Sequence, residues 1–177
     1  MLTLLLGGAR SGKSTLALQM AHRQPQPVTF IATAEPFDED LTDRIARHRD
    51  ERPPHWRTVE AALELPDALR AVATDDFLII DCLTVWLANL FVHLVEPESV
   101  ARYGHDLGEA LRRRAGSPTV VVSNEVGMGV HPDSELGRVY RDALGRLNQS
   151  VATIADRTLL LVAGRAVRLE DPWEFLQ

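Results

Sequence analysis

The chain has 177 residues, 45% of them hydrophobic and 25% charged, with a formal net charge of −6. That length suits one ordinary soluble domain, and the acidic balance argues against a general nucleic-acid or anionic-membrane surface. A lone cysteine, Cys82, excludes an intramolecular disulfide framework and a cysteine-based zinc site, and it suits a reducing cytosol.

The first element, Leu2-Thr3-Leu4-Leu5-Leu6, reads as a short buried strand. It is too short for a signal peptide or a membrane span, so a cytoplasmic protein is expected. It runs directly into Gly7-Gly8-Ala9-Arg10-Ser11-Gly12-Lys13-Ser14, which fits the phosphate-binding P-loop, Gly-x-x-x-x-Gly-Lys-Ser/Thr. Thr15 to Ala21 then read as a helix, so strand, glycine loop and helix occur in the required order. Gly7 and Gly12 permit backbone angles and a close phosphate approach that a Cβ would hinder, and N–H groups at the helix start face the anion. Lys13 is the single lysine among nineteen basic side chains, standing where a compact charge on a flexible stem is needed. It is expected to reach the β- and γ-phosphates, with Ser14 ligating Mg²⁺. A glycine-rich turn before a helix is the bland alternative; the Lys-Ser pair and both flanking elements favour a nucleoside-triphosphate site.

Further along, apolar runs bounded by turn signals mark strands at Val28-Thr29-Phe30-Ile31-Ala32, Phe77-Leu78-Ile79-Ile80, Thr119-Val120-Val121-Val122 and Thr158-Leu159-Leu160-Leu161-Val162. Continuous apolar runs suggest burial on both faces. Between them, helical patterns occupy roughly 38–51, 63–73, 84–93, 97–115 and 134–155. The last carries Leu136, Tyr140, Leu144, Leu147, Val151 and Ile154 along one stripe. Alternating strands and helices predict a three-layer α/β domain with a mostly parallel sheet. Pro53-Pro54, Pro66 and Pro132 punctuate connections, and no repeat or long linker divides the chain, so 1–177 reads as one catalytic domain. In such sheets ligands sit at the carboxyl ends of the strands.

Three segments at or near those ends carry chemistry. Phe77-Leu78-Ile79-Ile80-Asp81 has the Walker B form, an apolar strand ending in a carboxylate. Asp81 either helps hold Mg²⁺ or caps the next helix, and the P-loop favours the metal role. Ser123-Asn124-Glu125-Val126-Gly127-Met128-Gly129 brings polar side chains and two glycines to the same edge, as an ordinary loop also would. In Arg44-Ile45-Ala46-Arg47-His48-Arg49-Asp50-Glu51-Arg52-Pro53, His48 continues the apolar face of Leu41 and Ile45 amid arginines. A partly buried helix histidine explains that spacing. A neutral imidazole whose protonation the guanidiniums disfavour is also a nucleophile toward phosphorus.

At these residues the chain resembles the adenosylcobinamide kinase/adenosylcobinamide-phosphate guanylyltransferases of cobalamin biosynthesis. The resemblance covers nearly the whole chain: the P-loop, Ile31-Ala32-Thr33-Ala34, Arg44 to Arg49, Arg52-Pro53, Trp56-Arg57-Thr58-Val59-Glu60, Asp81 to Asn89, Ser123 to Gly129, and Tyr140-Arg141-Asp142 with Gly145 and Asn148-Gln149. It implies a RecA-like P-loop fold, a homotrimer, and two reactions in one site. A nucleoside triphosphate, ATP or GTP, phosphorylates the aminopropanol hydroxyl of adenosylcobinamide. GTP then supplies GMP to adenosylcobinamide phosphate, giving adenosylcobinamide-GDP and pyrophosphate. The family's histidine nucleophile matches His48, as a guanylyl-histidine intermediate. By the same match, nucleotide contacts fall to Gly7, Gly8, Ala9, Arg10, Ser11, Gly12, Lys13, Ser14, to Ala32, Thr33 and Ala34, to Arg49, Asp50, Glu51 and Arg52, and to Glu60 and Asp81. Asp81, Glu125 and His48 are all possible bases for the kinase step.

The chain departs from the family at Val130-His131-Pro132-Asp133 and in the tail from Arg168 to Phe175, which runs past the usual ending and either covers a neighbouring surface or frays. His22, His55, His93 and His105 show no shared metal-ligand spacing. Two rivals stand beside the family reading: a plain P-loop kinase for another alcohol, and a nucleotide-gated switch. His48 in its arginine frame separates the first reading from both.

Overall fold

The computed structural model of the chain describes residues 1–35, 52–93 and 97–176. In chain order the strands are β1 (Leu2–Gly7), β2 (Val28–Ala32), β3 (Arg57–Glu60), β4 (Phe77–Asp81), β5 (Thr119–Val122), β6 (Arg157–Val162) and β7 (Arg165–Leu169). They form one seven-stranded sheet in the order β3-β2-β4-β5-β1-β6-β7. All neighbours pair in parallel except β6 and β7, which form an antiparallel hairpin. The described helices are α1 (Lys13–His22), α2 (Leu65–Arg70), α3 (Leu83–His93), α4 (Pro97–Arg113) and α5 (Glu135–Ile154), with a 3-10 turn at Pro172–Leu176.

Alternation along the central strands divides the apolar side chains between two layers. Leu4, Leu6, Ile31, Leu78, Ile80 and Val121 join one core with Leu65, Leu69, Trp86, Leu90, Leu107 and Leu147 from α2, α3, α4 and α5. Leu5, Phe30, Phe77, Ile79, Val120 and Val122 face the other way, onto Ala17 and Ala21 of α1 and onto Trp56. Each fully buried Leu or Ile contributes about 1.5–3 kcal/mol of transfer free energy, and the two-sided burial of β1, β4 and β5 explains their unbroken apolar runs. The three-layer, mostly parallel α/β architecture follows.

Three features differ from the sequence-based expectation. β3 and β7 lack apolar runs, because β3 is a four-residue edge strand and every residue of β7 is exposed. The helix expected over 63–73 is the shorter α2, which takes Pro66 in its first turn, where a missing N–H is tolerated. On α5, capped by the Ser134 hydroxyl accepting the Gly137 N–H, Leu144, Leu147 and Val151 are buried as the stripe requires. Leu136 is not: in the first turn, it is 65% exposed beyond the core. The helix expected over 38–51 lies outside the described residues. In the tail, Trp173, Phe175 and Leu176 form part of an exposed 3-10 turn.

Strand register aligns the carboxyl ends. Ala32 of β2 pairs with Glu60 of β3 on one side and Asp81 of β4 on the other, and Asp81 pairs with Val122 of β5. β1 delivers Gly7 to the same edge, opposite Leu161 of β6.

Candidate nucleotide-binding site

The loop between β1 and α1 has left-handed backbone at Arg10, φ 57, and at Gly12, φ 99, which serves as the N-cap of α1. Gly7 has φ 148, and a Cβ there would stand 2.3 Å from the Leu161 carbonyl oxygen. No side chain fits that position, so the first glycine of the motif is dictated by the neighbouring strand. Lys13 is buried, and its Nζ donates to the Gly8 carbonyl at 2.7 Å and to Ser11 Oγ at 3.4 Å. The ammonium therefore lies folded over the loop whose phosphates it would contact. Ser14 follows in the first turn of α1, half-buried.

Opposite the loop, the end of β4 is fastened by a polar network. Thr33, fully buried, accepts the Cys82 N–H with its hydroxyl at 2.9 Å and donates to the Cys82 carbonyl at 2.8 Å. Asn89 of α3 donates to the Thr33 carbonyl at 2.7 Å and to that of Ala62 at 3.1 Å, tying α3 to the ends of β2 and β3. The Thr84 hydroxyl accepts the Asn124 N–H at 2.7 Å, while its carbonyl accepts the Tyr140 hydroxyl at 2.8 Å. Asn148 donates to the Asn124 carbonyl at 3.0 Å. Two residues of α5 thus fasten the Asn124 loop and the start of α3.

That loop is also joined to the P-loop. The Glu125 N–H donates to the Gly7 carbonyl at 3.1 Å, and the Glu125 carboxylate accepts the Gly127 N–H at 2.6 Å. Burial pushes the Cys82 thiol up to about 11, with the Asp81 carboxylate beside it adding to the effect. Burial likewise pushes the Tyr140 hydroxyl up to about 12. Both groups are therefore neutral at physiological pH.

The structure thus brings the expected residues of the P-loop, Ala32 to Ala34, Glu60 and Asp81 to one edge of the sheet. Within that set, Thr33 has its hydroxyl committed to Cys82. Arg52, the first described residue after the histidine segment, lays its guanidinium over the Phe30 ring at 3.7 Å. His48, Arg49, Asp50 and Glu51 lie outside the described residues. The roles of Asn89, Thr84, Tyr140 and Asn148 in fastening the edge were not assigned from sequence. The available signal was an amide on an otherwise apolar helix face, at Asn89 and Asn148, both buried.

A glycine loop between a parallel strand and a helix, with an acidic strand end across the edge, defines a P-loop nucleotide-binding protein with a RecA-like sheet. Solved structures agree on the fold: an ATPase of a bacterial type III secretion system superposes with TM-score 0.58 at 14% identity, covering 91% of this chain and 51% of its own. The RadB recombinase superposes with TM-score 0.52 at 19% identity, covering 90% and 73%. Residues 3–169 match the family model described as cobinamide kinase / cobinamide phosphate guanyltransferase, and the chain belongs to that family of bifunctional enzymes. It is 43% identical over 168 residues to the bifunctional adenosylcobalamin biosynthesis protein CobP of Pseudomonas aeruginosa, covering 94% of this chain and 96% of that protein. It is 36% identical over 182 residues to CobU of Salmonella typhimurium, covering 96% and 100%.

Proposed function

We propose that this enzyme phosphorylates adenosylcobinamide with ATP or GTP and then transfers GMP from GTP to adenosylcobinamide phosphate through a guanylyl group on His48. The observation that carries the reading is the full-length family match on a chain whose Lys13 loop and Asp81 strand end lie at one edge of the sheet.

In the kinase step, the acceptor hydroxyl oxygen attacks the γ-phosphorus and the bond from that phosphorus to the bridging oxygen breaks, its electrons departing on the bridging oxygen with the leaving nucleoside diphosphate. The hydroxyl proton passes to a carboxylate. Glu125 suits this role, since its backbone is bonded to Gly7 and its side chain is oriented by Gly127. Lys13 and the loop N–H groups neutralise charge on the triphosphate.

In the second reaction, a neutral ring nitrogen of His48 attacks the α-phosphorus of GTP, and pyrophosphate leaves with the electrons of the broken P–O bond. The ring keeps the proton on its other nitrogen. A phosphate oxygen of the acceptor then attacks the same phosphorus, the P–N bond breaks, and its electrons return the imidazole to its neutral form. Arg49 and Arg52 would stabilise the phosphate oxygens while Asp50, Glu51 and Glu60 contact the nucleotide.

Ser14 and Asp81 supply one hydroxyl and one carboxylate, hard oxygen donors of the kind Mg²⁺ takes when phosphates and water complete its shell. Bound there, the ion would screen the triphosphate charge. The reading carries with it one catalytic domain over 1–177, a homotrimer, a cytoplasmic location and no nucleic-acid partner. Among the described residues, no helix is long and apolar enough to cross a membrane. Incubation with adenosylcobinamide, ATP and GTP tests it: adenosylcobinamide-GDP and pyrophosphate should appear by mass and by phosphate analysis. Nucleotide hydrolysis with no change in the corrinoid would refute it.

A further inference from the structure

The β6–β7 turn grips the phosphate loop from outside the nucleotide motif, and we propose that Gly164 is a positioning residue that sets Ser11, and through it Lys13, for nucleotide binding. The inference rests on the loop being the nucleotide site. Val162 pairs with Arg165 across the two-residue turn Ala163-Gly164. Both turn residues have positive φ, 51 at Ala163 and 72 at Gly164, as a type I′ hairpin requires.

One hydrogen bond and two close backbone approaches join this turn and its strand to the loop. The Gly164 N–H donates to the Ser11 carbonyl at 3.0 Å. A Cβ on Gly12 would stand 3.4 Å from Gly164 Cα, and one on Gly7 would meet the Leu161 carbonyl oxygen at 2.3 Å. Hairpin backbone therefore lies against both ends of the motif. The carbonyl and N–H of one planar trans peptide point in opposite directions. Holding the Ser11 carbonyl on Gly164 thus turns the Gly12 N–H away from the hairpin and fixes the orientation of that donor. Ser11 is 7% exposed, its N–H donates to the Gly8 carbonyl at 3.3 Å, and its Oγ accepts from Lys13. A displaced turn would release the Ser11 peptide, and with it the donor geometry that Lys13 shares.

Equilibrium titration with a fluorescent GTP analogue and Mg²⁺, which needs no acceptor, tests this alongside steady-state kinetics of both transfers. Gly164→Val places a β-branched side chain where φ is 72; it should weaken nucleotide binding about tenfold and raise the nucleotide KM equally in both reactions, leaving the acceptor KM within about twofold. Gly164→Ala, whose Cβ meets nothing within 4 Å, is the milder variant, expected at about threefold should the valine form not fold. Leu169→Ala weakens the hairpin at its far end and should lower Tm without changing nucleotide affinity. Wild-type affinity in folded Gly164 variants, or a loss in Leu169→Ala that tracks its Tm, would overturn the proposal. Lys13→Met separates the two readings: if it binds nucleotide normally the loop is not the site, whereas if it alone is impaired only the role of Gly164 fails.

Discussion

The Thr33 hydroxyl holds Cys82 at both ends, accepting its N–H at 2.9 Å and donating to its carbonyl at 2.8 Å. The Thr33 N–H donates in turn to the Asp81 carbonyl at 3.2 Å. One buried side chain therefore fixes the backbone directly after the carboxylate expected to serve the metal. Thr33→Val keeps the shape but leaves the Cys82 N–H unpaired, while the Cys82 carbonyl keeps the Trp86 N–H at 3.1 Å, and it should cost about 1–3 kcal/mol of stability. It should also lower kcat of both transfers by displacing Asp81, while Thr33→Ser retains most of both. Denaturant unfolding and steady-state rates on the three proteins check this.

Lys13 donates within its own loop, to the Gly8 carbonyl and to Ser11 Oγ. Lys13→Ala should reduce both transfers by about 100-fold or more, the scale seen when one preorganised charge or donor is removed. The change in Tm should stay small. Lys13→Arg should not restore activity, because a planar fork cannot replace a compact ammonium in this space. Rates of each half-reaction, with circular dichroism melts, measure both effects.

Alkaline stability should be set in part by Cys82 and Tyr140. Both have folded values raised above their ordinary ones, Cys82 from 9.0 to about 11 and Tyr140 from 10.0 to about 12. A raised value means that the folded state keeps its proton after the unfolded chain has lost it. The contribution is complete below about pH 9 and is lost as pH rises through 11 and 12. For Cys82 that loss is on the order of 3 kcal/mol at most. Cys82→Ala should flatten the decline of Tm between pH 9 and 11, and the wild-type thiol should resist alkylation at pH 8 while the protein is folded.

Arg114 provides a stability test away from the catalytic edge. It is 5% exposed, and its guanidinium donates to the carbonyls of Val72, Ala73 and Asp76 and to the Thr119 hydroxyl, joining the connection before β4 to the start of β5. Burial lowers its proton affinity, an effect that the negative charges of Asp76 and Asp75 oppose. Arg114→Lys keeps the charge but loses the fork, and should cost about 2–3 kcal/mol with nucleotide KM unchanged. Urea unfolding and nucleotide titration separate the two quantities.

What the sequence revealed divides by range. The P-loop is legible because its parts are adjacent: a buried strand, a run of glycines and a helix start determine one another within Leu2 to Ala21. The inner strands are legible because burial on both faces leaves continuous apolar runs such as Phe77 to Ile80. β3 and β7 escaped because edge strands with exposed residues carry no such signal, and β7 reads Arg-Ala-Val-Arg-Leu with all five positions exposed. The fastening of the edge escaped for another reason. Thr33 with Cys82, Asn148 with Asn124 and Gly164 with Ser11 are far apart in sequence, and only the fold brings them together. The proposed role of His48 rests on family resemblance rather than on spacing, since the helical stripe its sequence spacing predicts fits an ordinary partly buried histidine as well.

The guanylyl-histidine step is the centre of the account, and GTP labelled at the α-phosphate tests it most directly. Wild-type protein incubated with that nucleotide and then denatured should retain label that is labile in acid and stable in alkali, the behaviour of a phosphorus–nitrogen bond to imidazole. His48→Ala should retain none, and adenosylcobinamide phosphate should discharge the label from the wild type. Label retained only from the γ-phosphate, or α-labelling undiminished in His48→Ala, would contradict it.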